Sequence, residues 1–131
     1  MRKMSEIFVF VYGTLKKGHG NHRRYLDGSV GFAQFIQDDK IEGILYDLGP
    51  FPAVQLYTEK DPVENRRICK GEVYKIDEEV LKKLDILEGY PSFYDRTLIL
   101  TKGGIKAWVY NQKKEDIGSK KILESGIWPS D

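Results

Sequence analysis

The chain contains very little cysteine: Cys69 is the only one among 131 residues, which excludes an intrachain disulfide. Proteins without disulfides are typical of reducing compartments. Cys69 stands in a run of alternating polar and apolar residues, and no histidine lies beside it in the sequence. A reactive thiolate needs such a neighbour or a helix N-terminus. We therefore interpret Cys69 as a small strand residue and not as a nucleophile.

Charge of one sign is also lacking, because 21 Lys and Arg residues balance 20 Asp and Glu residues to a net charge of +1. This balance argues against a nucleic-acid partner or an anionic membrane surface, both of which attract basic proteins. No apolar run reaches the ~18 residues that a membrane-spanning helix needs. The residues Met1–Glu6 are polar and do not resemble a signal peptide. We expect a cytoplasmic protein.

The sequence shows no internal repeat, no low-complexity tract and no linker, so residues 1–131 are expected to form a single domain. Strands are indicated by β-branched and aromatic runs bounded by turn residues. One short helix, with Asn21 as its N-cap, and one longer helix complete the prediction, which is an α+β fold and not a doubly wound one. The predicted strands are Ile7–Tyr12, Phe32–Gln37, Ile41–Leu48, Ala53–Tyr57, Ile68–Ile76, Tyr94–Thr101 and Ile105–Tyr110, and the short helix is His22–Leu26.

The longer helix is predicted from Glu78 to Glu88, with Asp77 as its N-cap and Gly89 just beyond its end. At about 100° per residue, Glu88 falls on the apolar face of this helix. An inward carboxylate at a helix C-terminus is disfavoured in its charged form both by burial and by the helix dipole, so it is a candidate proton carrier near neutral pH. The alternative is that the last turn frays and Glu88 reaches water; helical phase alone leaves both open.

The most hydrophobic strand ends at Tyr12-Gly13-Thr14-Leu15, where successive backbone N–H groups could form a donor site for a carboxylate. Gly13 would let a ligand approach the backbone. The segment is not a Walker loop, because His19 and Gly20 stand where Lys and Ser or Thr are required. No Cys or Glu accompanies the histidines at positions 19 and 22, which argues against a metal site. A routine turn is the alternative interpretation.

The segment after the long helix, residues 89–96, combines Tyr90, Phe93 and Tyr94 with Asp95 and Arg96. The rings are candidates for a pocket wall, and the Tyr94 hydroxyl is a candidate partner for a ligand or for Glu88. The alternative is that the rings belong to the core and that Asp95 and Arg96 form a surface pair. Near the C-terminus, Ile127-Trp128-Pro129 is expected to dock on the body of the domain.

Taken in order, five segments resemble the gamma-glutamylcyclotransferase-like family. They cover residues 9 to about 111, and the YGTL, LEGY and Y-x-R elements are the most specific of them. The region between Leu15 and Ile41 and the tail after Asn111 match the family poorly. The five segments are VFVYGTLKKG (9–18), DLGPFPAV (47–54), GEVYKID (71–77), LDILEGYPSFYDR (84–96) and AWVYN (107–111).

The resemblance implies a compact mixed β-barrel of about six to seven strands with few flanking helices. It also implies an enzyme that cyclises a γ-glutamyl amide to 5-oxoproline and releases an amine, without a metal or cofactor. Glu88 matches the catalytic glutamate of the family, and the Tyr12–Leu15 backbone matches its carboxylate-binding loop. Tyr94 and Tyr110 match cavity-lining tyrosines. The expected partner is a small γ-glutamyl molecule, while its amine and the oligomeric state stay open.

Two other functions remain open on sequence grounds. One is a non-catalytic module that binds a small molecule on the same fold, since a fold alone does not secure an activity. The other is a structural domain whose aromatic cluster forms an interface.

Overall fold

Strand β1 (Ile7–Val11) is the centre of the molecule and is buried on both faces. In this computed structural model, which describes residues 6–129, β1 pairs antiparallel with β5 and parallel with β7. Its side chains alternate between two hydrophobic clusters, with Val9 and Val11 in one and Phe10 in the other. The apolar sequence is therefore required along Val9, Phe10 and Val11, which are buried on both faces of the strand.

Eight strands and three helices are found between residues 6 and 129, in two sheets. The five-stranded sheet has the order β2-β5-β1-β7-β6, and the smaller sheet has the order β4-β3-β8. The bounds are β1 Ile7–Val11, α1 Gly20–Tyr25, β2 Ala33–Glu42, β3 Ile44–Asp47, β4 Pro52–Gln55, β5 Ile68–Ile76, α2 Glu78–Glu88, β6 Asp95–Leu100, β7 Lys106–Asn111, α3 Lys114–Ile117 and β8 Lys121–Ile122.

The turn between β6 and β7 reaches across to β2 and curls the larger sheet. Lys102 N–H donates to the Lys40 carbonyl (2.8 Å), and Gly103 N–H donates to Asp39 Oδ1 (2.8 Å). On the other side, Gln112 N–H donates to the Val54 carbonyl (3.0 Å) and ties β7 to the smaller sheet. The expected α+β, mixed-strand architecture is confirmed as a barrel-like arrangement, although the strands form two sheets and not one closed barrel.

The predicted break within residues 32–48 is wrong in position. The polar segment at Asp38–Lys40 continues β2, because Asp39 is buried and hydrogen bonded to the β6–β7 turn. The chain breaks instead at Gly43, where a Cβ atom would lie 2.7 Å from Val54 Cγ2. Gly43 thus allows the chain to pass from the larger sheet to the smaller one with close packing against β4.

The long helix forms as predicted. The Asp77 side chain accepts a hydrogen bond from Val80 N–H (3.0 Å), and Gly89 ends the helix in the left-handed conformation at φ 66°. The short helix begins one residue before the predicted cap, so Asn21 lies inside α1 and does not cap it. The docking of the C-terminal segment is confirmed at Trp128, which is buried.

Cys69 is a fully buried residue of β5, and burial raises the pKa of its thiol to about 12, which fits the structural interpretation. Within residues 6–129, no helix has the length and apolarity needed to cross a bilayer.

Asp39 provides a test of how the larger sheet is held in its curled form. Burial disfavours the Asp39 carboxylate, but hydrogen bonds from Thr101, Gln37 and the backbone N–H groups of Lys40 and Gly103 outweigh it and lower the pKa. We expect Asp39→Ala to destabilise the protein by about 1–3 kcal/mol, because buried donors lose their acceptor. Urea unfolding at pH 7 measures this change.

The lowered pKa also fixes the pH dependence. The contribution of Asp39 is present above the pKa of an unfolded aspartate, about 3.9, and is lost as the pH falls through the folded-state value. Wild type and Asp39→Asn should therefore converge in stability under acid. The adjacent, exposed Asp38 gives the control Asp38→Ala, and an equal loss of stability in both alanine variants would contradict this role.

Candidate active site

A cavity of about 360 Å³ opens where β1 and α2 both end. Its volume suits a small molecule. Among the residues that line it, Glu88 alone carries a charged side chain, and most of the others are apolar or aromatic. The lining residues are Phe10, Val11, Tyr12, Gly13, Thr14, Leu15, Asn21, Pro50, Phe51, Pro52, Leu87, Glu88, Phe93, Tyr94 and Tyr110.

The loop after β1 has its carbonyl groups engaged on the protein side. The Gly13 carbonyl accepts from Lys16 N–H (3.0 Å), and the Thr14 carbonyl accepts from Asn21 N–H (3.2 Å). The Leu15 carbonyl lies 3.2 Å from His22 Nδ1, which fits a proton on that nitrogen. These contacts fix the loop from one side and orient its peptide units.

The N–H groups of the same loop are not used within the domain. Among residues 6–129, no acceptor is in hydrogen-bonding geometry with the backbone N–H of Gly13, Thr14 or Leu15. Backbone N–H groups are strong donors that buried structure rarely leaves unpaired. Three consecutive donors at a cavity wall are suited to an anion such as a carboxylate.

Close packing against the smaller sheet explains the glycine in this loop. A Cβ atom at position 13 would lie 2.8 Å from Pro52 Cδ, closer than real Cβ contacts allow. Gly13 therefore lets the loop lie directly against Pro52, the first residue of β4. The sequence predicts that Gly13 lets a ligand approach the backbone, and the structure adds a role in packing against Pro52.

Glu88 is the last residue of α2, and its side chain reaches the cavity beside Leu87. The side chain is partly buried, and burial raises the pKa of its carboxyl group to about 7. Within the described part of the chain, no side-chain or backbone donor is hydrogen bonded to this carboxylate. The apolar helix face on which it was placed is the face that packs inward, with Val80 and Leu84 fully buried. The group is thus a carboxyl that is both available for a ligand and able to exchange a proton near neutral pH.

The three tyrosines of the cavity wall use their hydroxyl groups for structure. The Tyr94 hydroxyl donates to the Pro52 carbonyl (2.6 Å), so it does not bond Glu88 as the sequence had suggested it might. The Tyr12 hydroxyl donates to the Tyr110 carbonyl (2.6 Å) and accepts from Val54 N–H (3.2 Å). Burial, with the nearby Glu88 charge adding to it, raises the pKa of each of these three tyrosines.

Arg96 departs from the sequence interpretation. It does not form a surface pair with Asp95; its guanidinium lies 3.3 Å from Asp85 and is largely buried. Asp85 also accepts a hydrogen bond from the Tyr110 hydroxyl (2.7 Å). Because both contacts join residues 11 to 25 positions apart, helix periodicity and local motifs carry no signal for them.

Asn21 is a further cavity residue that sequence reasoning assigned elsewhere. Its Nδ2 group donates to Thr14 Oγ1 (2.8 Å), in addition to the backbone contact with the Thr14 carbonyl. Sequence analysis treated Asn21 as a helix cap, which is the commonest use of asparagine before a short helix. Phe51 and Phe93 also line the cavity and pack edge to face, with ring centroids 6.0 Å apart.

The structure therefore brings Glu88, Tyr12, Gly13, Thr14, Leu15, Tyr94 and Tyr110 into the wall of one cavity. A candidate proton carrier and the backbone loop at the end of β1 therefore share one cavity.

Comparison with known proteins identifies the family. The family model described as gamma-glutamyl cyclotransferase, AIG2-like, matches residues 9–130. A Vibrio cholerae protein named as a candidate gamma-glutamylcyclotransferase is 42% identical over 121 residues, which cover 92% of this chain and 93% of that protein. The human gamma-glutamylaminecyclotransferase is 38% identical over 96 residues, which cover 70% of this chain and 59% of the human protein.

Among solved structures, an AIG2-like protein from Mus musculus superposes with a TM-score of 0.74 at 29% identity, covering 92% of this chain and 88% of the mouse chain. Sequence and fold agree over nearly the whole length. The chain belongs to the gamma-glutamyl cyclotransferase, AIG2-like family.

Proposed function

We propose that this protein converts a γ-glutamyl amide into 5-oxoproline and a free amine. The observation that carries the proposal is the shared cavity, which is lined both by Glu88 and by residues 13–15, whose backbone N–H groups have no acceptor within residues 6–129. A γ-glutamyl group carries an α-carboxylate for the loop and an α-ammonium for the carboxylate. The names of the relatives support the same chemistry.

In this reaction, Glu88 accepts a proton from the α-ammonium, and the freed nitrogen attacks the γ-carbonyl carbon. A new C–N bond closes a five-membered ring, and the bond from the same carbon to the amide nitrogen then breaks. One ammonium proton stays on the ring nitrogen, and two reach the departing nitrogen, one of them from Glu88. The amine leaves as an ammonium ion, so atoms and charge balance.

The surroundings of Glu88 suit both halves of this exchange. A proton carrier works best when its pKa is near the working pH, and burial places the pKa of Glu88 at about 7. Nucleophile and carbonyl belong to one molecule, so the protein contributes mainly positioning and proton transfer. The loop N–H groups of residues 13–15 would hold the α-carboxylate and orient the ammonium towards Glu88.

The cavity wall also favours a class of amine. Phe51 and Phe93 line the cavity, and Phe93 is half exposed, which places it at the mouth. Among the described residues, no cationic side chain lines the cavity, so a carboxylate on the departing group would find no charge partner there. We therefore favour γ-glutamyl amides of amines with an apolar chain next to the amide nitrogen over peptides with a nearby carboxylate.

The Glu88→Gln variant tests the proton carrier. Turnover should fall by at least ~100-fold, since an amide cannot accept the ammonium proton. The assay measures 5-oxoproline formed from γ-glutamyl alkylamines, γ-glutamyl-lysine isopeptide and glutathione. Glu79→Gln, on the exposed face of the same helix, is the matched control and should keep wild-type turnover. Wild-type turnover in Glu88→Gln would remove Glu88 from the mechanism, and an inactive wild type across this panel would leave only ligand binding.

Gly13→Ala tests the loop. Because the added Cβ would meet the Pro52 ring, the loop must shift, and its N–H groups move away from the substrate carboxylate. A displacement of this size should raise KM by about 10-fold or more. Gly20→Ala is the control, since a Cβ at Gly20 meets no atom within 4 Å. Equal KM values for the two variants would argue against carboxylate binding by this loop.

Glu88 should also leave a signature in stability. Burial raises its folded-state pKa to about 7 from an ordinary value of 4.5, so the folded state holds the proton more tightly than the unfolded state. The contribution of protonated Glu88 to the free energy of unfolding is complete below the pKa of the unfolded state and is lost as the pH rises through 7. Relative to Glu88→Gln, wild type should lose on the order of 2 kcal/mol between pH 5 and 8. Urea unfolding across this range measures the difference, and parallel pH profiles would refute the buried acid.

A further inference from the structure

Asp85 lies one helical turn before Glu88 and has two partners from other strands. The Tyr110 hydroxyl, from β7, donates to Asp85 Oδ1 (2.7 Å). Arg96 Nε, from β6, lies 3.3 Å from the same oxygen. The end of α2 is therefore tied by one carboxylate to both strands of the β6–β7 hairpin.

Arg96 is held on both sides by aromatic rings. Its guanidinium carbon lies 4.8 Å from the centroid of Tyr90 and 4.4 Å from that of Trp108. Its side chain is 15% exposed. A planar guanidinium between two rings is an attractive cation–π arrangement that fixes its orientation.

The contacts continue from Asp85 to the substrate loop. The Tyr110 carbonyl accepts the Tyr12 hydroxyl (2.6 Å), and that hydroxyl also accepts from Val54 N–H on β4 (3.2 Å). Tyr12 is the first residue of the Tyr12–Leu15 loop, which lines the same cavity as Glu88. The series Arg96–Asp85–Tyr110–Tyr12, which we call the Asp85 relay, thus connects the helix that carries Glu88 to the loop that opposes it.

We propose that Arg96 and Asp85 are positioning residues, which hold Glu88 in register with the Tyr12–Leu15 loop through the Asp85 relay. The proposal deepens the assignment of the cavity as a γ-glutamyl site and rests on it. Neither residue lines the cavity. Their effect on the reaction would pass through the helix end and through Tyr110.

The relay has an electrostatic consequence as well as a geometric one. The titratable groups that face Glu88 from neighbouring elements are Tyr12 on β1, Tyr94 before β6 and Tyr110 on β7, and α1 contributes the uncharged Asn21 to the cavity. Asp85 is on the same helix as Glu88, at a spacing that makes side chains neighbours. Arg96 lies beside Asp85, so we expect loss of the arginine to leave the Asp85 charge unbalanced next to Glu88 and to disfavour the charged form of Glu88.

The test compares Arg96→Met, Asp85→Asn and the double variant with Arg66→Met. Arg66 is a matched control, because it forms an ion pair with Glu42 at 3.3 Å and lies 4.9 Å from the Tyr57 ring centroid, away from the cavity. Each variant is assayed on the γ-glutamyl amide that wild type turns over best. Each is also titrated by carboxyl carbon NMR at Glu88, which requires no turnover.

For Arg96→Met we expect kcat to fall about 10-fold or more with a smaller change in KM, because a proton carrier out of register slows chemistry more than binding. The Glu88 titration should move upward by roughly half a pH unit or more, from the charge of Asp85. Adding Asp85→Asn should return the titration towards its wild-type position. Arg66→Met should change neither reading.

If Arg96→Met and Arg66→Met have the same kcat and the same Glu88 titration, the proposed Asp85 relay is refuted. If Arg96→Met does not fold, Arg96→Lys replaces it, because lysine retains the charge and lacks the planar guanidinium. We then expect kcat to fall while the Glu88 titration stays at its wild-type position. A wild-type kcat in Arg96→Lys would refute the positioning role. An inactive wild type would reject the proposed reaction, and the NMR titration would then still decide the electrostatic part of the relay.

Discussion

Burial of β1 on both faces is the constraint from which the rest of the structure follows. A central strand without a solvated face has no room for polar side chains, so polar chemistry begins where the strand ends. Tyr12 is the transition point: its ring is buried in the core, and its hydroxyl serves backbone groups of β4 and β7. The loop that follows is fixed by its carbonyl groups, and the N–H groups of residues 13–15 have no acceptor among residues 6–129.

Glu88, on another wall of the cavity, lowers the stability of the folded protein. A carboxylate at the C-terminus of a helix opposes the helix dipole, and the apolar surroundings of Glu88 remove the water that would solvate it. Such a group persists in a fold only if the rest of the domain tolerates its cost. Two features of the helix offset this unfavourable free energy. One is a cap at each end, Asp77 and Gly89, and the other is the burial of Val80 and Leu84 in the core. The residues that stabilise the helix are thus separated from the carboxyl group at its end.

Local patterns predicted the elements whose stability is local. The helix from Glu78 to Glu88 has its N-cap, its apolar face and its terminal glycine within thirteen residues. Strand β1 is predicted by its run of β-branched and aromatic residues. The misassigned positions depend on partners outside their own element. Asp39 interrupts an apolar pattern but is satisfied by the β6–β7 turn, and Asn21 resembles a cap but bonds Thr14. Residue patterns alone pointed to Glu88, to the Tyr12–Leu15 backbone and to the rings that follow the helix, whereas the resemblance to a family supplied their expected roles and added Tyr110.

The polar contacts that join the cavity walls show why such sites resist prediction from a single sequence. Tyr12 and Tyr94 donate to backbone carbonyls of Tyr110 and Pro52, and a carbonyl is present at every position whatever its side chain. The sequence therefore does not indicate which carbonyl groups are the acceptors, and only the tyrosine donors can be identified from it. Asp85 differs, because both of its partners are side chains. Asp85 is therefore a link between the helix and the strands that depends on the identity of the side chains at positions 85, 96 and 110.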